Sequence, residues 1–61
     1  MLSVYTVNDE FVFSDEEDVQ EVYKAINNAG ARGAEWSIPI ELKNGKRITF
    51  ILKNIIAIEI D

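Results

Sequence analysis

The chain contains no cysteine and no histidine. These absences remove disulfide staples, thiolate nucleophiles, the usual imidazole general base and the common ligands of a zinc site. One proline and three glycines leave few positions where the backbone is forced to turn or break. Bases are scarce too: 6 Lys and Arg stand against 11 Asp and Glu, for a net charge of −5. Such a surface opposes general attraction to nucleic acid. No apolar run approaches the ~20 residues that span a bilayer. Met1 leads directly into a strand-like run with no leader-type charged, apolar or cleavage region, so a cytoplasmic location is expected.

What is present forms one domain, residues 1–61. A chain this short buries only about 60% of its extended-chain surface. Lacking disulfides and metal, it must gain stability from tight packing or from association through a sheet face or edge. A homo-oligomer is the physical expectation.

The chain is organised around its C-terminal stretch. Apolar residues alternate at Trp36, Ile38, Ile40 and Leu42, at Ile48, Phe50 and Leu52, and at Ile56, Ile58 and Ile60. A period of two predicts three strands. Side-chain parity then selects the turns, because a one-residue slip exchanges the faces. A three-residue turn at Lys43-Asn44-Gly45 sets Ile40 opposite Ile48, Ile38 opposite Phe50 and Trp36 opposite Leu52. It needs Gly45 at positive φ, and a two-residue Asn44-Gly45 turn would set apolar against polar. The same parity predicts a loop at Lys53-Asn54-Ile55 with Asn54 left-handed. It puts Phe50 in a central strand, opposite Ile58, with Glu41, Arg47 and Asp61 in one row on the other face. Pro39 has no amide proton, so its strand must be an edge or be bulged there.

Residues Met1 to Phe13 predict a hairpin. A two-residue Asn8-Asp9 turn pairs Thr6 with Phe11 and Val4 with Phe13, so that Leu2, Val4, Phe11 and Phe13 share a face. Ser14 to about Ala29 predicts a helix. Ser14 and Glu17 have the spacing of a capping box, and Asp15, Glu16 and Glu17 complement the helix dipole. Val19, Val22, Tyr23, Ile26 and Ala29 form the apolar stripe, and Gly30 or Asn28 ends the helix before a Gly30-Ala31-Arg32-Gly33 connector. The expected fold is α+β, ββαβββ: a single antiparallel sheet of about five strands with one helix on one face.

Three sets of residues are candidates for function. Asp15, Glu16, Glu17, Asp18 and Glu21 form an acidic partner-binding candidate, able to imitate a phosphate backbone in the basic cleft of a nucleic-acid enzyme. Their plainer role is a solvated helix start, and the run lacks the central Gly and alternation of a calcium loop. Lys43, Lys46 and Arg47 at a hairpin tip are candidates for anion contact, against the plainer role of solvated turn residues. Tyr5, Val12, Ile51 and Ala57 fall on the sheet face away from the helix and are the self-association candidates. Ser3, Ser14 and Ser37 have no recognisable activator, so neither catalysis nor a cofactor is expected. The functional expectation is a non-enzymatic protein-interaction module that associates with itself. The alternatives are an acidic nucleic-acid mimic or a weak nucleic-acid binder using residues 43–47.

Overall fold

A computed structural model describes Met1–Asp61. In order, the chain forms β1 (Leu2–Thr6), β2 (Glu10–Phe13), α1 (Glu16–Ala31), β3 (Ile40–Glu41), β4 (Arg47–Ile48), a 3-10 turn (Leu52–Asn54) and β5 (Ile55–Ile60). The fold is α+β with one helix and five strands in ββαβββ order. Its strands do not make the single five-stranded sheet that the sequence suggests. β1 lies between β2 and β5 in a three-stranded antiparallel sheet, and β3 and β4 form a separate two-stranded hairpin.

β5 leaves the β4 neighbourhood because the chain bends at Leu52–Asn54 in a 3-10 turn instead of a left-handed Asn54 loop. No residue other than glycine has positive φ. β5 then pairs along β1, with Leu2 opposite Ile60 and Val4 opposite Ile58. Glu41 does pair with Arg47, but Asp61 is carried away from that row and its amide donates to the Met1 carbonyl at 3.0 Å. A register shift between Tyr5 and Thr6 leaves Ile56 as the extra residue of a bulge.

The β1–β2 hairpin differs from its expected register by two residues: Val4 faces Phe11 and Leu2 faces Phe13. The Thr6–Asp9 turn replaces the two-residue Asn8-Asp9 turn. The Thr6 amide donates to the Asp9 carbonyl (2.8 Å), and the Thr6 hydroxyl accepts from the Asp9 amide (3.1 Å). A shift of two keeps every side chain on its face. Leu2, Val4, Phe11 and Phe13 therefore share the inner side as parity requires.

The helix begins one residue late. Asp15, not Ser14, is the N-cap, and its Oδ1 accepts from the Glu17 amide at 3.0 Å and the Asp18 amide at 3.1 Å. A carboxylate is the stronger acceptor for unpaired amides at the positive end of a helix. The other end runs past Gly30 to Ala31. Gly33, at φ 67°, supplies the left-handed residue, with Gly33 N–H donating to Gly30 O and Ala34 N–H to Ala29 O. That paired pattern is a Schellman motif. Val22, Ala25, Ile26 and Ala29 are the buried helical positions. Tyr23 lies about 100° from Val22 around the axis, which puts it outside the stripe, and it is exposed.

The core unites Leu2, Val4 and Phe13 of the sheet, Val22, Ala25 and Ile26 of the helix, Ile40 of β3 and Phe50. Phe50 is 3% exposed and meets Phe11 and Phe13 edge-on, with centroids 5.5 and 6.4 Å apart. Phe50 is thus a core residue although it belongs to no central strand, and Ile38, its expected neighbour, points to solvent. Truncation of Phe50 to alanine should cost about 3–5 kcal/mol, comparable to the whole stability of a small domain. A Phe50→Ala chain that melts cooperatively near the parent temperature would contradict this placement.

Candidate functional site

The β3–β4 turn follows the parity argument. Ile40 pairs with Ile48, the Leu42 amide donates to the Lys46 carbonyl at 2.7 Å, and Gly45 has φ 88°. The turn also lies against the start of the helix. The Lys43 amide donates to Asp18 Oδ1 (2.9 Å), and its ammonium donates to Asp15 Oδ2 (3.2 Å) in the one salt bridge of the structure. Lys43 and the acidic run, read from the sequence as separate candidate sites, are here two halves of one contact. Glu16, Glu17 and Glu21 stay exposed, and so do Lys46 and Arg47. Glu17, Asp18, Glu21 and Glu41 border a shallow cleft of about 310 Å³ beside Lys43 and Gly45. No group of three carboxylates comes close enough to hold a metal ion.

Electrostatics follow from these contacts. The Asp18 amide, together with the Lys43 ammonium and the Glu17 amide, holds the Asp15 carboxyl below its ordinary range. Asp15 in turn raises the Lys43 ammonium, first through the hydrogen bond and then through its charge.

The self-association candidates divide. Ser3 faces Val12, and Tyr5 faces Glu10 on one side and Ala57 on the other, so Tyr5, Val12 and Ala57 share the outer sheet face. Glu10 and Glu59 share it with them. The Tyr5 hydroxyl donates to Glu59 Oε1 at 3.2 Å, and the charges of Glu10, then Glu59, raise the phenol above its ordinary range. Ile51 is elsewhere, bridged to Trp36 and half-buried. It belongs to no strand of the β2–β1–β5 sheet and so does not share the outer face with the other three.

The register change that moves Ile51 occurs at Pro39. Below it Ile40 faces Ile48; above it Trp36 faces Ile51, one residue out of step. A one-residue slip exchanges the faces, so Ser37 turns inward and Trp36 and Ile38 turn out. Buried Ser37 accepts from the Phe50 amide (2.9 Å) and donates to the Ile38 carbonyl (3.1 Å), so its hydroxyl is satisfied. Trp36 is 58% and Ile38 59% exposed. On β5, Ile56 is 67% and Ile60 55% exposed. The alternation of apolar residues predicts an inner face for all four. The signal for two of them was available in Pro39, whose bulge reverses the parity of everything before it. Open clefts flank these surfaces: about 440 Å³ between the helix end and Ile55, and about 360 Å³ beside Trp36, Ile51 and Leu52.

Compared with protein-family models, with curated proteins and with solved structures, the chain finds no match. No helix is long and apolar enough to cross a membrane.

Replacing Asp15 removes the acceptor of two first-turn amides. Asp15→Ala should lower the melting temperature by roughly 4–8 °C. A carboxyl held low in the folded state stabilises it above the unfolded pKa, and that contribution is lost as pH falls through the folded value. The parent should therefore lose more stability than Asp15→Asn on acidification from about pH 5 to about pH 2. Superimposable acid profiles of the denaturant midpoint would assign that loss to other carboxylates.

Proposed function

We propose that this chain is a non-enzymatic protein-interaction module that associates with itself. The observation that carries the reading is the set of large apolar side chains left in water. Val7, Val12, Trp36, Ile38, Ile56 and Ile60 are all at least half exposed, in a chain that buries only 11 of 61 residues. Scattered single apolar residues are normal on a protein surface, but neighbouring ones favour contact with another protein. Trp36 and Ile38 stand two residues apart on one extended segment, and tryptophan is enriched at the energetic centres of interfaces. Ile56 and Ile60 lie on one strand.

Catalysis has less support. The sequence lacks the usual base and nucleophile, and the buried hydroxyl of Ser37 is engaged with backbone on both sides. An acidic mimic of nucleic acid is the second reading, favoured by exposed Glu17, Glu21 and Glu41 around one cleft. Lys43 at the same cleft, paired to Asp15, weakens the negative field there. Direct nucleic-acid binding through the hairpin tip is weaker still, since Lys46 and Arg47 are what remains of the cluster once Lys43 is paired.

Sedimentation analysis at tens of micromolar should give a dimer or larger species. A chain that sediments as a monomer up to millimolar concentration would overturn self-association. Binding of the mimic type would instead appear as salt-sensitive capture by a basic nuclease or polymerase, lost in Glu17→Lys/Glu21→Lys.

A further inference from the structure

We infer that the occupant of the open β5 edge is β5 of a second copy, paired antiparallel about a two-fold axis at Ile58. This inference rests on the self-association reading and names its surface. β5 is hydrogen-bonded on one side only, to β1. The ladder fixes which groups face the other side. Asp61 N–H donates to Met1 O, and in an antiparallel ladder bonded pairs alternate. Residues in step with Asp61, namely Glu59 and Ala57, point their backbone groups at β1. Ile58 and Ile60 point theirs away, and no other backbone hydrogen bond outside the ladder reaches them.

Such an edge is a template for another strand, and natural edges are commonly guarded by lysine or proline. β5, with the sequence IIAIEI, carries neither. Its one irregularity is the bulge at Ile56, near its beginning.

Three symmetric registers set outward-pointing Ile58 opposite Ile56, Ile58 or Ile60 of the second copy, and they are not equivalent. Centring on Glu59 sets that carboxylate against its own copy, and like charges directly opposite destabilise a ladder. Centring on Ala57 runs Ile60 against Asn54, which is bent into the 3-10 turn and whose carbonyl already accepts from Val7. Centring on Ile58 sets Ile56 against Ile60 and Ala57 against Glu59, so no like charges oppose. It brings the two most exposed isoleucines of the strand together across the axis. The outer sheet face is the poorer candidate, because it carries Glu10 and Glu59 on either side of Tyr5, and a second copy stacked there would bring two more carboxylates to them. The edge contact instead makes one six-stranded sheet.

The test compares edge with face. In Ile60→Pro the lost amide proton is one that points away from β1, and in Ile60→Lys an exposed side chain becomes a charged guard. Both variants should keep the parent circular dichroism and raise the dimer dissociation constant at least about tenfold, while Val12→Lys leaves it unchanged. Since the chain has no cysteine of its own, Ala57→Cys/Glu59→Cys should cross-link into a covalent dimer on mild oxidation, because non-bonded pairs sit ~4.5 Å apart at Cα. A dimer that survives Ile60→Pro and dissociates in Val12→Lys overturns the edge and leaves self-association standing. Self-linking by Glu59→Cys alone overturns the register. A parent that is monomeric at every concentration overturns both edge and self-association.

Discussion

The three-stranded sheet of this fold closes on β1. Leu2–Thr6 carries a ladder on each edge, and Leu2 and Val4 are the two sheet residues with no exposed surface at all. One ladder is local: β2 returns after the Thr6–Asp9 turn. The other joins the ends of the chain, as the Tyr5–Glu59 hydrogen bond shows across a sequence separation of 54. Closing so long a loop costs entropy that grows only slowly with length, but non-local pairing of this kind slows folding. β1 is therefore made of residues that fit a buried central strand, with Leu2 and Val4 inward and Ser3 and Tyr5 outward. The helix and the β3–β4 hairpin supply the second layer, and Phe50 fills the space between them and the two phenylalanines of β2.

Local pattern was legible wherever parity alone decides. The three-residue Lys43–Gly45 turn, the shared face of Leu2, Val4, Phe11 and Phe13, and the existence of one amphipathic helix follow from spacing. Two features did not follow, for a common reason. Hydrophobic alternation says that a strand is half-buried, but not which strand it pairs with. Ile58 and Ile60 suit an inner face beside β4 as well as one beside β1, and only the bend at Leu52–Asn54 separates these outcomes. Pro39 marks an edge or bulge site, but the consequence of a bulge is global for its strand. Ser37, a small polar residue, becomes the buried one, and Trp36 and Ile38 become surface.

Charge shows the same division between local and tertiary information. The acids after Phe13 mark a helix start by composition, and the start lies within one residue of the expected place. Sequence has no means of showing that Lys43, 28 positions beyond Asp15, arrives beside it. That contact ties the hairpin tip to the helix N-terminus, so Asp15 caps the helix and anchors the turn at once. It also separates two kinds of acid: the Asp15 and Asp18 carboxylates accept hydrogen bonds, while those of Glu16, Glu17 and Glu21 make none and stay exposed.

The exposed apolar surface is a consequence of how little one helix can cover. The stripe of α1 is narrow and half alanine, with Ala25 and Ala29 allowing close approach over a small area. Its main contacts are with β2, β3 and the 3-10 turn. The β5 side of the inner face is left with Ile58 half-covered and Ile60 in water. Two different needs then coincide on β5: isoleucines without neighbours and backbone groups without ladder partners. The Trp36–Ile38 segment has the first need, but its neighbour Ser37 already bonds to Phe50 through both amide and hydroxyl. A partner at Trp36 gains side-chain burial and only a short ladder, because Ile38 O already accepts from the Ser37 hydroxyl and Pro39 has no amide proton. A strand laid against β5 gains burial and a backbone ladder together, and a strand of the same sequence supplies isoleucine opposite isoleucine.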